Sequence, residues 1–335
     1  MALPSHVYYN PNKLDSYNAM YNFVIGQRGD GKSFALKKKC IKAYLKNGEQ
    51  FVYLRRHKGE LREINSFFGD VSMKFPGVEF RVNGHVFETL VGDKWKTMGM
   101  ARVLSSSQQS KSGVFNEVTK VIFDEFIKEK GLTQYLPNED VVFDNFYNTL
   151  DRFNDRVRAY FLGNAVELSN PHLLRYDLDT SKEFQTFANG YVCVNLVDST
   201  DYLREVEKSR FAQFVRATSP DYANYALDNA FADGGDYMIA EKPSHMNIRG
   251  FIRLRGVRLS LWSSPNMAEW YVSDRCPNVD LITWVKKIEE VRDDTVLLPW
   301  NSKLASHWRT CYNHGRIAFA NKHVRNSFLD IFKRW

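Results

Sequence analysis

Residues 26–33 read Gly-Gln-Arg-Gly-Asp-Gly-Lys-Ser, which matches the phosphate-binding pattern G-x-x-x-x-G-K-[ST]. The glycines let backbone N–H groups converge on a phosphate chain, and the start of a following helix adds partial positive charge there. The lysine can reach the β- and γ-phosphates, and the next hydroxyl can hold Mg²⁺. We therefore predict a nucleotide-binding loop made of Gly26, Gln27, Arg28, Gly29, Asp30, Gly31, Lys32 and Ser33, with Ser33 as a magnesium ligand.

Two adjacent carboxylates, Asp124 and Glu125, follow the apolar run at 121–123. In nucleotide hydrolases the first carboxylate at such a strand end orients Mg²⁺, and the second polarises the attacking water as a general base. An apolar run before two acids also occurs where a strand simply ends in solvent. Its combination with the phosphate loop favours the catalytic interpretation, and the adjacent glutamate favours a hydrolase over a simple nucleotide kinase.

Two polar residues further along the chain have a possible role at a nucleotide. Arg152 lies at the end of a predicted helix over 139–153, where an arginine either stabilises the helix dipole or acts as an arginine finger on a neighbouring subunit's ATP. Asn164 follows a predicted strand over 157–162, and it either senses the γ-phosphate or belongs to a simple turn. The sequence leaves both pairs of alternatives open.

The elements around these residues are predicted from hydrophobic periodicity. The apolar run 23–25 reads as a buried strand leading into the loop, and the amphipathic stretch 34–46 as the helix that follows it. A second strand is predicted over 49–55. The basic run 55–60 after it reads as a solvated loop or as a contact to a phosphate backbone. Residues 101–120 are rich in serine and glutamine and predict a mobile loop.

The composition is that of a packed and basic protein. Its 335 residues are 44% apolar and 14% aromatic, which suits two domains, or one large domain with an appendage. The net charge of +7 is consistent with a polyanionic partner such as DNA or RNA, or with a merely basic protein. The four cysteines form no C-x-x-C pair and indicate reduced thiols. No apolar run approaches the ~20 residues that a membrane-spanning helix needs.

The chain after residue 229 is predicted to be β-rich and basic. Residues 248–261 alternate apolar residues with arginines, and residues 302–335 read as helical and basic. A basic sheet with aromatics suits contact with a nucleic-acid backbone, and a half-exposed sheet with solvated arginines is the alternative. Its acids form no convincing triad for the two metals of a nuclease. The scattered acids are Asp233, Asp236, Glu269 and Asp274.

With these motifs in view, the chain resembles the DNA-packaging ATPases of small podovirus-type bacteriophages that carry a prohead RNA. The resemblance covers nearly the whole length. Its specific parts are longer than generic ATPase motifs, so the match implies more than the phosphate loop alone. These parts are residues 22–33, 122–130, 137–139 and 156–165.

The resemblance implies a fold class and a domain organisation. Residues 1–197 would form an α/β P-loop domain of the additional-strand, catalytic-glutamate (ASCE, RecA/FtsK-like) class, built on a central and mostly parallel sheet. A small helical linker would follow over 198–228. Residues 229–335 would form an α+β domain similar to the RNase H-like nuclease of large terminases.

The resemblance also implies residue roles, with ATP and Mg²⁺ as cofactors. Lys32 would bind the phosphates and Asp124 the magnesium ion, with the following glutamate as the base. Arg152 and Lys111 fall where the family has residues that act on the neighbouring subunit's ATP. Arg28 would be the extra arginine of the packaging phosphate loop.

Motors of this family pump double-stranded DNA through a portal into an empty prohead, where prohead RNA holds the ring. The implied partners are therefore double-stranded DNA, prohead RNA, the portal or connector protein and further copies of the chain in a homopentameric ring, with no membrane. The implied location is the host cytoplasm, with transient attachment to the prohead and absence from the mature virion. Because the carboxylate triad of terminases is missing, we expect a nuclease-like domain that binds nucleic acid or the portal without cleaving DNA.

Two other functions stay open at this stage. A terminase-like ATPase with an active nuclease domain would need metal-binding carboxylates in its C-terminal domain. A GTPase-type switch would use Asn12-Lys13-Leu14-Asp15, which matches the guanine-reading pattern N-K-x-D. This motif lies too close to the phosphate loop for the usual GTPase arrangement, so packing beside the adenine is the preferred interpretation.

Overall fold

The protein forms two compact units in the computed structural model. The first comprises Met1–Glu167 and Asp179–Ala232, and the second comprises Leu168–Leu178 and Asp233–Trp335. The domain boundaries at 197 and 228 stay predictions. The structure describes residues 4–110, 116–127, 135–164, 170–176, 178, 182–219, 238–254, 256–299, 301–313, 315–329 and 331.

The first unit contains a nine-stranded sheet with helices packed against it. Its strands are β1 Tyr21–Gly26, β2 Gln50–Arg55, β3 Phe80–Asn83, β4 Val86–Val91, β5 Lys94–Val103, β6 Val118–Asp124, β7 Arg158–Asn164, β8 Phe184–Phe187 and β9 Val192–Leu196. Its helices are α1 Asn12–Asp15, α2 Lys32–Asn47, α3 Glu139–Asp151, α4 Thr200–Glu207 and α5 Arg210–Thr218.

The strand order of this sheet is β3-β4-β5-β2-β6-β7-β1-β9-β8. The neighbours from β5 to β9 in this order pair in parallel, and the strands at both edges pair antiparallel. Strand β7 lies between β1, which leads into the phosphate loop, and β6, which ends at the acidic pair. This inserted strand is the additional strand of the predicted class, so the predicted P-loop fold is confirmed.

The central strands are apolar because helices and loops cover both faces of the sheet. Phe23 on β1 stacks on Phe161 of β7 with their ring centroids 4.2 Å apart. Phe143 of α3 packs against Phe161 with its ring tilted and its centroid 4.5 Å away. On the other face Leu36 and Cys40 of α2 are fully buried in the main apolar cluster. The parallel order and this packing bring the carboxyl ends of the strands to one edge of the sheet.

Two predictions from the sequence are wrong in part. The predicted mobile loop over 101–120 is wrong at both of its described ends, because β5 runs to Val103, a 3₁₀ helix covers Leu104–Ser110 and β6 starts at Val118. Strand β5 is stabilised by hydrogen bonds to β2 on one side and to β4 on the other. In the basic run 55–60, Arg56 is 1% exposed and does not lie in solvent.

The second unit contains a six-stranded sheet in the order β14-β13-β10-β11-β12-β15. Strands β10, β11 and β12 pair antiparallel, while β13 pairs in parallel with β10, and β14 with β13. This order is that of the predicted RNase H-like sheet, with β15 added beside β12. Its elements are β10 Asn247–Leu254, β11 Val257–Ser263, β12 Trp270–Ser273, β13 Thr283–Val285, β14 Thr295–Leu297, α6 Lys303–Asn313, β15 Ile317–Phe319 and α7 Lys322–Leu329.

The core of the second unit is built around buried tryptophans. Trp308 of α6 lies edge-on against Trp270 of β12 and against Phe328 of α7. Gly256 has a φ of 80° in the turn between β10 and β11, a backbone conformation that favours glycine. Within the described part of the chain, every helix is too short or too polar to cross a membrane.

Candidate active site

The phosphate loop joins the end of β1 to the start of α2, as its sequence pattern predicts. Gly29 and Gly31 have φ values of 84° and 89°, a region that favours glycine. A side chain at Gly26 would lie 2.7 Å from Oδ2 of Asp30, and one at Gly29 would collide with the hydroxyl of Tyr202. Glycine is therefore favoured at 31 by backbone conformation, at 26 by close packing, and at 29 by both.

Ser33 and Asp124 meet at the carboxyl edge of the sheet, although β7 lies between β6 and β1, the strand that leads into the phosphate loop. The Ser33 hydroxyl donates to Oδ1 of Asp124 over 2.9 Å. Tyr53 at the end of β2 donates its hydroxyl to Oδ2 of the same carboxylate over 2.8 Å. Burial, together with the neighbouring charge of Asp124, raises the pKa of Tyr53, so this hydroxyl stays protonated. A hydroxyl and a carboxylate oxygen at this distance form a donor set that fits Mg²⁺.

Lys32 is buried at the start of α2. Its ammonium donates to the backbone carbonyl of Gln27 over 2.5 Å and to Oδ1 of Asp30 over 2.9 Å. Burial lowers the pKa of the Lys32 ammonium and raises the pKa of the Asp30 carboxyl, while their mutual attraction favours the charged forms of both. The lysine is thus held against the inside of the loop by contacts within the loop itself.

Glu125 stands one residue beyond β6 with its side chain more than half exposed. Its φ of 56° lies in the left-handed region, which is uncommon for a residue other than glycine. Nη2 of Arg55 donates to Oε2 of Glu125 over 2.5 Å, and Nε of Arg55 donates to Glu60 over 3.2 Å. The predicted general base is therefore next to Asp124, one of the predicted magnesium ligands, and is paired with an arginine in this structure.

A buried ion pair behind the acidic residues was missed by the sequence analysis. Nε and Nη2 of Arg56 donate to the two carboxylate oxygens of Glu139 over 2.7 and 3.0 Å. Strand alternation could not have found it, because β2 is a central strand that is buried on both faces, and Glu139 lies 83 residues further along the chain. The contact of Tyr53 with Asp124 was missed because the sequence around a tyrosine in an apolar strand does not indicate a polar partner for its hydroxyl.

Asn164 is the last residue of β7, and in the parallel register it pairs with Gly26. It therefore lies beside the first residue of the phosphate loop, between the strands that carry the loop and the acids. Arg28 is exposed on the loop itself. Lys111 lies outside the described residues. The edge of the sheet thus brings together the loop, Asp124, Glu125 and Asn164.

Arg152 is not part of this cluster. It caps the C-terminal end of α3, where its N–H donates to the carbonyl of Asn148 over 2.9 Å. Helix α3 has 13 residues and begins at Glu139, the partner of Arg56. At about 1.5 Å per residue the two ends of the helix are roughly 18 Å apart. Arg152 is exposed and too distant from this end of the helix to reach the same nucleotide.

The loop that presents Arg152 is rigidly built around one carboxylate. The Asp151 side chain accepts four backbone N–H groups, at 2.9–3.1 Å, from residues 154–157. Burial opposes ionisation of Asp151, but these hydrogen bonds outweigh it and lower its pKa. Arg152, Phe153 and Asp155 all have left-handed φ values, and Phe153 is 90% exposed. The loop is therefore a fixed projection from the surface.

A cavity of about 370 Å³ adjoins the phosphate loop. Tyr8, Lys13, Asp30, Phe184 and Tyr202 contribute to its walls. The backbone N–H of the residue after Tyr8 donates to the carbonyl of Asp30 over 2.8 Å, so the N-terminal segment is bound to the loop. The cavity is of the size and position that a nucleoside attached to phosphates in the loop would need.

The guanine-reading interpretation of residues 12–15 is not supported by these contacts. The Asp15 carboxylate forms an ion pair with Lys39 and accepts the Tyr160 hydroxyl over 3.2 Å. Asp15 is absent from the residues that line the cavity beside the loop. Its contacts instead join α1 to α2 and to β7.

A phosphate loop, a strand-end acidic pair and an inserted strand between them define a nucleotide-binding P-loop protein of the ATPase type. The family model of the Podovirus DNA encapsidation protein (Gp16) matches residues 3–335, so the chain belongs to that family. A DNA packaging protein of Bacillus phage B103 is 33% identical over 325 residues, covering 95% of this chain and 98% of the relative.

Solved structures agree with this assignment. The bacteriophage Phi-29 viral genome packaging motor assembly contains a chain with a TM-score of 0.69 and 32% identity, covering 97% of this chain and 98% of that one. The crystal structure of the N-terminal domain of the DNA packaging ATPase from bacteriophage phi29 has a TM-score of 0.54 and 40% identity, covering 58% of this chain and 99% of that one. These comparisons confirm the predicted function, ATP-driven DNA packaging. The nuclease and GTPase-switch alternatives are not favoured.

Proposed function

We propose that this protein hydrolyses ATP with Mg²⁺ and uses the free energy to move double-stranded viral DNA into a preformed prohead. The single observation that carries the proposal is the 2.9 Å contact between Ser33 and Asp124. It joins the helix after the phosphate loop to the acidic strand end, which is where a P-loop hydrolase needs its metal ligands.

The residues at the sheet edge would have separate roles in binding ATP and Mg²⁺. Backbone N–H groups of residues 26–31 and the Lys32 ammonium would bind the phosphate chain. Ser33 and Asp124 would hold Mg²⁺, whose charge stabilises the negative charge on the phosphate oxygens. Asn164 would contact the γ-phosphate from the tip of β7. Tyr53 would hold the Asp124 carboxylate in the orientation that the metal needs.

Glu125 would take a proton from the attacking water. In this structure Oε2 of its carboxylate is engaged by Nη2 of Arg55 over 2.5 Å, so that oxygen is not available to an attacking water. We therefore expect the Glu125 side chain to leave Arg55 before hydrolysis. The exposure of this side chain leaves it free to turn towards the phosphates.

Arg152 would act on the ATP of a neighbouring subunit. The separation of roughly 18 Å between the ends of α3 argues against action on the subunit's own nucleotide. The fixed projection after Asp151 would present this arginine to a partner. In a homopentameric ring Lys111 would assist in the same way, and Arg28 would contact phosphates from the loop. The matched chain belongs to the bacteriophage Phi-29 viral genome packaging motor assembly, which supports action within an assembly.

The adenine base would occupy the cavity beside the phosphate loop. Tyr8 and Tyr202 border it with aromatic rings, and Lys13 lies over the ring of Phe184 at 4.2 Å. Aromatic rings bind a purine by stacking. Asp15, already bound to Lys39 and Tyr160, would not read a guanine base.

The second unit would bind prohead RNA, DNA or the portal protein without cleaving DNA. Its described residues include no group of three His, Cys, Asp or Glu side chains able to hold a metal ion. The protein would act in the host cytoplasm, attach to the prohead during packaging and leave before the virion matures.

The decisive test is ATPase activity measured with and without double-stranded DNA and proheads. Strong stimulation only by the assembled particle is the expected result. A rate of ATP hydrolysis that changes with neither addition would contradict the proposal.

Mixing Arg152→Ala subunits with Lys32→Ala subunits tests whether Arg152 acts on the ATP of a neighbouring subunit. Partial recovery of ATPase activity supports it, and no recovery at any ratio counts against it.

A further inference from the structure

We propose that Arg56 and Glu139 form a positioning pair that sets the direction in which Glu125 leaves the end of β6. This inference rests on the proposed hydrolytic role of Glu125. The pair is almost completely buried, with Arg56 1% and Glu139 0% exposed. Two hydrogen bonds of 2.7 and 3.0 Å join the guanidinium to both carboxylate oxygens.

The guanidinium also holds the backbone of the acidic strand end. Nη1 of Arg56 donates to the carbonyl oxygen of Glu125 over 3.2 Å, and Nη2 donates to that of Phe126 over 2.5 Å. The N–H of Glu125 in turn donates to Oδ1 of Asp124 over 3.1 Å. Both sides of the left-handed Glu125 residue are therefore bound, at its N–H and at its carbonyl.

A left-handed conformation at a non-glycine residue persists only where surrounding contacts enforce it. The conformation matters here because it decides where the Cα–Cβ bond of Glu125 points. If the peptide relaxed, the carboxylate would leave the strand end in another direction. Catalytic geometry is sensitive to such shifts, since a displacement of about 1 Å costs on the order of 100-fold in rate.

Glu139 fixes the guanidinium in its turn. Its Oε2 also accepts the backbone N–H of Leu136 over 2.9 Å, at the start of α3. The rings of Phe123 and Tyr135 lie 5.5 and 5.0 Å from the guanidinium carbon. Only arginine offers a planar fork that can bind a carboxylate and two carbonyls together. The pair thus joins β2, the end of β6 and the start of α3.

A purely structural pair would behave differently. Replacing a buried ion pair by apolar residues of similar volume is often neutral or stabilising for the fold. The double variant Arg56→Met with Glu139→Leu therefore separates the two roles. The matched control is Lys120→Met with Glu49→Leu, which removes an ion pair at the opposite end of β6.

Each protein is measured for melting temperature, affinity for a fluorescent ATP analogue, and kcat and KM for ATP on proheads. The Arg56/Glu139 double variant is expected to fold and to bind the analogue within about 3-fold of the unaltered protein, while kcat falls about 10- to 100-fold. The control variant is expected to keep kcat. An Arg56/Glu139 variant that keeps the full kcat overturns the proposal.

Arg56→Lys provides a second test that does not depend on tolerance of an apolar pair. It keeps a positive charge beside Glu139 but cannot bind both backbone carbonyls as well, so kcat should fall while the affinity for the analogue persists. An unchanged kcat for Arg56→Lys also overturns the proposal. Failure of the unaltered protein to hydrolyse ATP would instead contradict the proposed function, so the two failures are distinguishable.

Discussion

The two sheets of this protein differ in which buried polar groups they contain and in what those groups bind. At the carboxyl edge of the first sheet, polar and charged residues from different strands and helices meet, as Ser33 does with Asp124 and Arg56 does with Glu139. In the second sheet the buried polar residues are mainly hydroxyls that bind nearby backbone. Ser260 donates to the backbone carbonyl of residue 275 over 2.8 Å. The first sheet therefore concentrates charge at one edge, and the second uses polar groups to satisfy its own backbone.

The acids of the second unit illustrate the difference. Glu269 and Asp274 lie just beyond opposite ends of β12. At about 3.3 Å per residue they are roughly 16 Å apart along the strand, too far to share a metal ion. Asp233 and Asp236 lie outside the described residues. The contrast indicates that metal-dependent chemistry depends on which strand ends converge, and not on the number of acids.

The largest expected effect comes from Glu125→Gln. Removing the proposed base should lower kcat for ATP by about 100- to 10,000-fold while ATP binding persists, because the phosphate loop is unchanged. Steady-state hydrolysis and equilibrium ATP binding are the measurements. Glu60→Gln is the matched control, since Glu60 is also bound by Arg55 but lies outside the acidic pair. Equal losses of kcat in both variants would contradict a specific role for Glu125 in hydrolysis.

Tyr53→Phe should have a smaller effect, confined to the magnesium requirement. Loss of the hydroxyl bound to Asp124 should raise the Mg²⁺ concentration needed for half-maximal ATPase activity by about 10-fold. A Mg²⁺ titration at saturating ATP measures this. Tyr160→Phe removes a hydroxyl on β7 that binds Asp15 instead, and it should leave the titration unchanged. A shift of similar size in both variants would contradict a specific role for Tyr53.

Asp151→Asn tests a carboxylate of the first unit that accepts hydrogen bonds from backbone N–H groups. Its amide cannot accept all four N–H groups, so the free energy of unfolding should fall by about 1–3 kcal/mol near neutral pH. The pKa of Asp151 is lowered in the folded protein. Its contribution is therefore complete above the unfolded value of about 3.9 and is lost as the pH falls through the lower folded value.

Denaturant unfolding at pH 7 and at successively lower pH checks this prediction. The difference between Asp151→Asn and the unaltered protein should shrink below about pH 4. Asp155→Asn is the control, because the Asp155 carboxylate is 74% exposed and pairs only at the surface with Arg158. If the difference in the free energy of unfolding stays constant at low pH, ionisation of Asp151 does not contribute to stability.

The smallest expected effect is in the second unit. Glu269→Ala with Asp274→Ala should change neither ATPase activity nor the integrity of plasmid DNA incubated with Mn²⁺. Gel analysis of supercoiled plasmid is the measurement. Cleavage by the unaltered protein that disappears in this variant would show that the second sheet assembles a metal site, as we propose for the first.

Local patterns predicted much of the fold. The loop 26–33, the helix after it and the strand before Asp124 were predicted because each depends on residue spacing within one segment. Strand β5 was missed, since its mixed residues form a strand only through hydrogen bonds to β2 and β4. The solvated interpretation of Arg56 was wrong for a related reason: its partner Glu139 is distant in sequence.

The sequence by itself determined the class of loop, the acidic pair and the alternation of strands and helices, because backbone geometry and side-chain periodicity act over a few residues. The tertiary structure alone decided that Ser33 meets Asp124 across an inserted strand and that Tyr53 binds the same carboxylate. It also decided that Arg56 has a buried partner. A buried charge is stable only beside its complement, and that complement is defined by distance in space, which a linear pattern does not encode.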